Sequence, residues 1–385
     1  MKKILIVNNN LKVGGVQKSL YNLLWALNDQ YEITLLLFQK KGVFLNDLPK
    51  GVRVKECRSL FRFFGTSQAE CKGLDKLKRG VLAFLGRRFG RKCALRFISP
   101  SQKTLPEHYD VAVAYLHNGN PHHFYGGVQD FVLKKVKADK KIAFLHCDYR
   151  MSDANHPINN RVIEQFDAIA ACSDGCRAAF CEVMPHLKEK CVTVRNFHRY
   201  DKIQQLSECD PVRYAEGNHV LMVTRLAHEK GVERAIEAAA ELKKRGVEMK
   251  LHIVGSGAMK QMLTELTEQR GLTDRIIFHG EQDNPYRFMK NASLLLLTSF
   301  YEAAPMVIEE AAFLGLPVLT TKTTSSEDMV VQRGIGWQCE NSQESLNEAL
   351  FEILTSPEAL CQMRKQMRVS ADHDIAATQT EKLFR

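Results

Sequence analysis

The sequence predicts an α/β protein made of two Rossmann-like parallel-sheet domains facing each other across a cleft. Three observations predict it. The first 40 residues alternate strand, loop, helix and strand. A second alternation of the same kind opens at His219. The strand-like stretches are nearly all apolar, as strands buried on both faces are. The 385 residues are enough for two domains of ordinary size, each with its own core. With 45% hydrophobic and 25% charged residues, the composition is that of a soluble globular protein rather than a disordered one.

In order, "KKILIV" is a short apolar strand and "NNNLKVGG" a polar, glycine-containing loop. "VQKSLYNLLWAL" places Leu20, Leu23, Leu24 and Leu27 at helical spacing. "YEITLLLF" is a second strand, which completes a βαβ start. The alternation loosens across a basic stretch. It resumes with strands at "DVAVAYL" (Asp110–Leu116), "KIAFLH" (Lys141–His146), "DAIAACS" (Asp167–Ser173) and "CVTVRN" (Cys191–Asn196). The polar passage from Arg199 to Asn218 reads as an interdomain connection. The second series runs through "HVLMVTR", a helix from about Lys230, "KLHIVG", a helix from about Ala258, "RIIFHG" and a short helix near Tyr286. It ends with "SLLLLTS", a helix from Pro305 and "PVLTT". The expected domains are 1–205 and 206–369, with a C-terminal helix over 370–385 packing back on the first.

The formal net charge is +10, and it is local: residues 51–100 hold 13 Lys and Arg against 3 Asp and Glu. From Cys57 to Pro100 the cations interleave with Leu60, Phe61, Phe63, Phe64, Val81, Leu82, Phe84, Leu85 and Phe89. That pattern suits an anionic membrane surface; the alternative is a solvated basic face over a local core. It lacks an RNA-binding signature, so no nucleic-acid partner is expected. The 11 cysteines are odd in number, and the cluster Cys172, Cys176, Cys181 lacks zinc-ligand spacing, so reduced thiols are expected. There is no signal-peptide pattern and no apolar run near the ~18 residues that span a bilayer. The expected location is the cytoplasm, with peripheral contact at the inner face of the membrane.

Ligands of open α/β sheets bind beyond the carboxyl ends of the strands. The residues expected there are Gly14-Gly15, His117, His146 with Asp148, Ser173 and Asn196. In the second half they are Arg225 with Lys230, Gly255-Ser256-Gly257, His279-Gly280, and Ser299 leading to Glu302. A glycine pair at a helix start admits an anion close to the backbone, or simply makes a tight turn. The GxGxxG dinucleotide pattern is absent. Arg225 and Lys230 are two cations suited to a diphosphate; the alternative for Arg225 is a surface ion pair with Glu229. In "SFYEAAPMVIEEAAFLGLPVLTT", Glu302 stands before the helix and Glu310 inside it. A carboxylate accepts hydrogen bonds from vicinal sugar hydroxyls, and the N–H groups of Met306 and Val307 would face a phosphate. The alternative is that Glu309 and Glu310 are a solvated helix face.

"TRLAHEKGVERAIEAAAEL", "LHIVGSGAM", "IIFHG" and "TSFYEAAPMVIEEAAFLGLPVLTT", in this order, resemble the retaining glycosyltransferases of family 4, of GT-B architecture and of the bacterial surface-polysaccharide type. The resemblance implies transfer of a sugar, with retention, from a nucleotide sugar (UDP-linked by expectation) to a saccharide or lipid-linked acceptor. It implies that His146 and Glu302 lie near the donor sugar, Arg225 and Lys230 on the diphosphate, Gly14 and Gly15 in the phosphate loop, and Glu310 on the ribose. No cofactor and no metal are expected, since the cations take the metal's place. Ala303-Ala304 stands where the family usually has Gly-Phe, and Asn196-Phe197 where it has Asn-Gly. The acidic triplet Asp372-His373-Asp374 lies past the last βα unit and is not expected to bind metal. Two other functions are weighed: another GT-B enzyme (nucleotide-sugar epimerase or phosphorylase), and a non-catalytic basic protein that binds membrane or nucleic acid.

Overall fold

A computed structural model describes residues 1–367 and 373–385, without the side chains of His373 and Asp374. Asp372 and the side chains of His373 and Asp374, the acidic triplet named above, therefore lie outside what is described. The chain divides into two compact units, Met1–Phe197 with His373–Arg385, and His198–Asp372.

The first unit holds strands β1 (Lys3–Asn8), β2 (Glu32–Leu37), β3 (Arg53–Glu56), β4 (His108–Ala114), β5 (Lys137–Leu145), β6 (Ala168–Ala171) and β7 (Cys191–Thr193). They form one sheet in the order β3-β2-β1-β4-β5-β6-β7, with every neighbouring pair parallel. Helices α1 (Gly15–Leu27), α2 (Gly73–Phe89), α3 (Arg91–Ile98), α4 (Val128–Lys135), α5 (Pro157–Ile163) and α6 (Asp174–Val183) connect them. β1 is buried from Ile4 onwards, which is why it reads as an unbroken apolar run. Leu20, Leu23, Leu24 and Leu27 of α1 enter the same core as Ile4, Ile6, Val111 and Phe144.

The second unit begins with α7 (Tyr200–Glu208). The strands β8 (His219–Val223), β9 (Lys250–Val254), β10 (Ile276–Gly280), β11 (Leu294–Leu297), β12 (Val318–Thr321) and β13 (Gly336–Cys339) follow. They are all parallel, in the order β10-β9-β8-β11-β12-β13. The helices are α8 (Val232–Lys244), α9 (Lys260–Gln269), α10 (Tyr286–Met289), α11 (Met306–Phe313), α12 (Gln343–Thr355) and α13 (Pro357–Gln366). The last helix of the chain, α14 (His373–Phe384), packs on the first unit: Ala376, Leu383 and Phe384 join its core, and Lys2 Nζ donates to the Phe384 carbonyl at 2.9 Å.

The sequence reading missed several features. The passage from Arg199 to Asn218 is not a plain connection: Tyr200 and Ile203, one turn apart on α7, enter the core of the second unit, so 198–205 belongs there. The basic stretch folds into α2 and α3. Within it Phe61, Phe63, Phe64 and Leu82 are buried and present nothing to a membrane. Arg91 is also buried. Its guanidinium meets Asp130 at 3.3 Å and donates to Asn159, tying α3 to α4 and α5.

Candidate active site

Each sheet reverses its strand order once, between β1 and β4 and between β8 and β11, and such a switch point is where α/β sheets bind ligands. In the second unit, Arg225 follows β8 by two residues and Glu302 follows β11. The chain after β8 makes a single 3-10 turn over His228–Lys230, so Lys230 ends that turn and α8 begins only at Val232. Between them Gly231 has φ +57, and a Cβ there would lie 2.3 Å from the Thr298 carbonyl oxygen; glycine is required. Thr298, fully buried at the end of β11, donates its hydroxyl to the carbonyls of Lys230 and Gly231 at 3.1 and 2.7 Å. Phe300 N–H donates to the Glu229 carbonyl at 3.0 Å, and its ring stacks on His228. The two loops are thus laced together, and Lys230 is held by backbone it cannot leave.

The result is a close contact across 72 residues of sequence. Lys230 Nζ donates to Glu302 Oε1 at 2.6 Å, and Ser299 Oγ donates to the same oxygen at 2.7 Å. Ser299 is in turn fixed by Thr321 Oγ1, which donates to its carbonyl at 2.7 Å. An ammonium has three N–H donors, so one bond to Glu302 leaves two for an anion. Arg225 is paired with Glu229 at 2.7 Å, as the i,i+4 alternative expected, and its side chain is 69% exposed. An exposed pair of this kind contributes little, so the guanidinium is free in energetic terms to turn to a stronger acceptor.

Helix α11 starts at Met306, with Pro305 as its N-cap and no side chain capping its first N–H groups. Met306 and Val307 occupy its first two positions. The N-terminal end of a helix carries partial positive charge and attracts anions. Glu309 and Glu310 are both buried, so they are not a solvated face. Glu309 is bonded to Arg333, which gives it a structural partner. Gly255-Ser256-Gly257 lies against the loop after β8: Leu226 N–H donates to the Ser256 carbonyl at 2.9 Å, and Cβ atoms at Gly255 and Gly257 would strike the carbonyl oxygens of Thr224 and Leu226.

In the first unit, Gly14 is the N-cap of α1 and Gly15 its first residue. A Cβ at Gly15 would meet nothing within 4 Å, whereas one at Gly14 would come within 2.5 Å of Gln17 Oε1. His117 follows β4 and His146 follows β5. Burial, reinforced by the neighbouring His117, pushes His146 down to about 3, and burial pushes His117 down to about 4. Both rings are neutral at pH 7. His146 Nε2 and His117 Nδ1 are buried and make no hydrogen bond within the protein, which is the usual state of an atom that meets water or a ligand. Sequence reasoning put His117 at this rim without a role. It missed Thr298 and Arg234, which donates to the Thr298 carbonyl at 3.2 Å and to Asn341 at 2.6 Å. A threonine closing an all-leucine strand was the available signal for the first.

Two all-parallel Rossmann-like units, each with polar groups gathered at its switch point, define a protein of the GT-B fold. Residues 210–371, within the second unit, match the model of the family described as glycosyl transferases group 1. The chain is 30% identical over 166 residues to the putative colanic acid biosynthesis glycosyltransferase WcaL of Escherichia coli K12, covering 40% of this chain and 41% of that protein. It is 33% identical over 140 residues to the lipopolysaccharide glucosyltransferase WaaG of the same organism, covering 36% and 37%. These alignments thus span about two fifths of the relatives' length. The fold matches the crystal structure of Anabaena Alr3699/HepE in complex with UDP-glucose over 100% of this chain and 99% of that one, with a TM-score of 0.69 at 17% identity.

Proposed function

We propose that the protein is a cytoplasmic glycosyltransferase that moves a sugar from a UDP-sugar to a hydroxyl of a saccharide acceptor, lipid-linked, in cell-surface polysaccharide synthesis. The anomeric configuration is retained and no metal is required. The observation that carries the proposal is the Lys230–Glu302 contact at the switch point of the second unit, beside the uncapped start of α11. Departure of a sugar from a nucleoside diphosphate builds negative charge on the leaving phosphate. In this reading Lys230, Arg225 and the N–H groups of Met306 and Val307 stabilise that charge, which is the work a divalent cation does elsewhere. Glu302 orients Lys230 and accepts from a donor-sugar hydroxyl; Glu310 accepts from the ribose. Gly14, Gly15 and His146 keep the roles that the resemblance implies, the two glycines toward phosphate and the neutral imidazole toward the sugar. The relatives named above are a putative colanic acid biosynthesis glycosyltransferase and a lipopolysaccharide glucosyltransferase, which supports a saccharide acceptor.

Incubation with a panel of nucleotide sugars, with and without saccharide acceptors, tests the reading through release of free nucleoside diphosphate. Release that depends on an acceptor supports transfer. Conversion of the nucleotide sugar with no acceptor present would make the protein an epimerase instead.

A further inference from the structure

We infer that the outward face of α2, continued onto α3, is a docking surface for an anionic lipid bilayer. The inference rests on this surface alone and uses no part of the transferase site.

Helix α2 is amphipathic in an inverted way. Arg79, Leu82, Ala83 and Gly86 face the core. The opposite side of a surface helix is ordinarily polar. Here it carries Leu74, Leu77, Val81 and Phe84, spaced three, four and three residues apart, with 73, 66, 52 and 64% of their surface exposed. The apolar surface continues through Phe89 and, past Gly90, to Phe97 on α3, both exposed. A shallow groove lined by Gly73, Leu77, Gly80, Val81 and Phe84 runs along it beside Gln68.

Exposed cations flank this stripe: Lys76, Lys78, Arg87, Arg88, Lys92 and Arg96. Between residues 72 and 97 the sole acidic residue is Asp75, and Arg62 holds both its oxygens at 2.8 and 2.7 Å. Charge decides between occupants. A second copy laid on this face would set cations against cations with no carboxylate to meet them. A nucleic acid would take the cations and leave six large apolar side chains in water. An anionic bilayer satisfies both sets, with headgroups at the Lys and Arg and the Leu and Phe side chains in the acyl boundary.

Sedimentation of the full chain with vesicles tests this directly. Binding is expected to vesicles of 30% phosphatidylglycerol in phosphatidylcholine, to weaken as salt is raised, and to be slight on pure phosphatidylcholine. Leu77→Ser with Phe84→Ser removes the apolar half, and Arg87→Ser with Arg88→Ser removes two cations. All four side chains are exposed, so the fold should survive, and an unchanged melting temperature with unchanged nucleotide binding checks it. Each cation near the surface is worth about a fivefold factor in partition, so the Arg pair should cost about 25-fold. The apolar pair should cost at least about tenfold. Arg91 is left in place because it is a buried partner of Asp130. Equal binding to both vesicle types, no binding to either, or anionic binding untouched by both double variants would overturn the inference. So would a dimer in solution that Leu77→Ser with Phe84→Ser dissolves, or tighter binding to nucleic acid that only the Arg pair abolishes.

Discussion

Lys230 and Glu302 lie in different loops, 72 residues apart, and meet at 2.6 Å beyond the carboxyl ends of two neighbouring strands. Each side chain is largely covered, so each is the other's principal counter-charge. Removing one leaves the other poorly compensated. Lys230→Met and Glu302→Gln should each lower kcat/KM for the donor by about tenfold to a thousandfold, the range of a lost charge-stabilising group. The double variant should lose less than the product of the two. Full additivity in a double-mutant cycle would show that the pair does not act as a unit.

The turn that carries Lys230 depends on Thr298 and Gly231. Thr298→Val removes the hydroxyl that serves two buried carbonyls and should cost about 1–2 kcal/mol in urea unfolding. Thr298→Ser should restore most of it. Gly231→Ala adds a Cβ against the Thr298 carbonyl at a positive φ, costing about 2 kcal/mol or more and lowering Tm by about 4–8 °C. Variants that melt like the parent would show that this turn can relax and does not fix Lys230.

Three histidines of the second unit form a chain across adjoining strands: His219 Nδ1 meets His252 Nε2 at 3.0 Å, and His252 Nδ1 meets His279 Nε2 at 3.0 Å. Burial, then the charge on its two neighbours, holds His252 down to about 4, while His146 and His117 of the first unit stand at about 3 and about 4. Between these values and the ordinary 6.5 the unfolded chain binds protons that the folded one does not. Stability is therefore fully present above about pH 6.5 and falls as pH drops towards 4. Urea midpoints measured at pH 7.5, 6 and 5 should decline in that order, and His252→Gln should reduce the slope. A flat profile would mean that these rings are charged in the folded protein.

Transfer should persist in excess chelator, because Lys230, Arg225 and the α11 terminus are assigned the work of an ion. Loss of activity on chelation, restored by Mn²⁺ or Mg²⁺, would remove that assignment.

The alternation of both units was legible because parallel strands buried on two faces leave unbroken apolar runs, such as "LLLL" of β11. Arg225 with Glu229 was legible too, since i,i+4 spacing brings opposite charges together locally. Contacts across long separations were not. Nothing near Lys230 in sequence announces Glu302, and Arg91 looks like one more surface cation until Asp130, 39 residues on, is folded against it. In the basic stretch, interleaved aromatic and cationic residues do not say which aromatics turn inward. The structure buries Phe61, Phe63 and Phe64 and exposes Phe84 and Phe89. Helix α7 was hidden by its charged residues, although Tyr200 and Ile203 already showed helical spacing.

In the proposed function, the carboxyl ends of β8 and β11, with the start of α11, hold a nucleoside diphosphate and its sugar. Calorimetric titration of UDP into the parent chain and into Glu310→Ala measures it most directly. Binding by the parent is expected, with a loss of about tenfold to a hundredfold in the variant, the worth of a charge-assisted hydrogen bond of about 1.5–3 kcal/mol. No binding of UDP or any other nucleoside diphosphate by the parent, or the same Kd in both proteins, would contradict it.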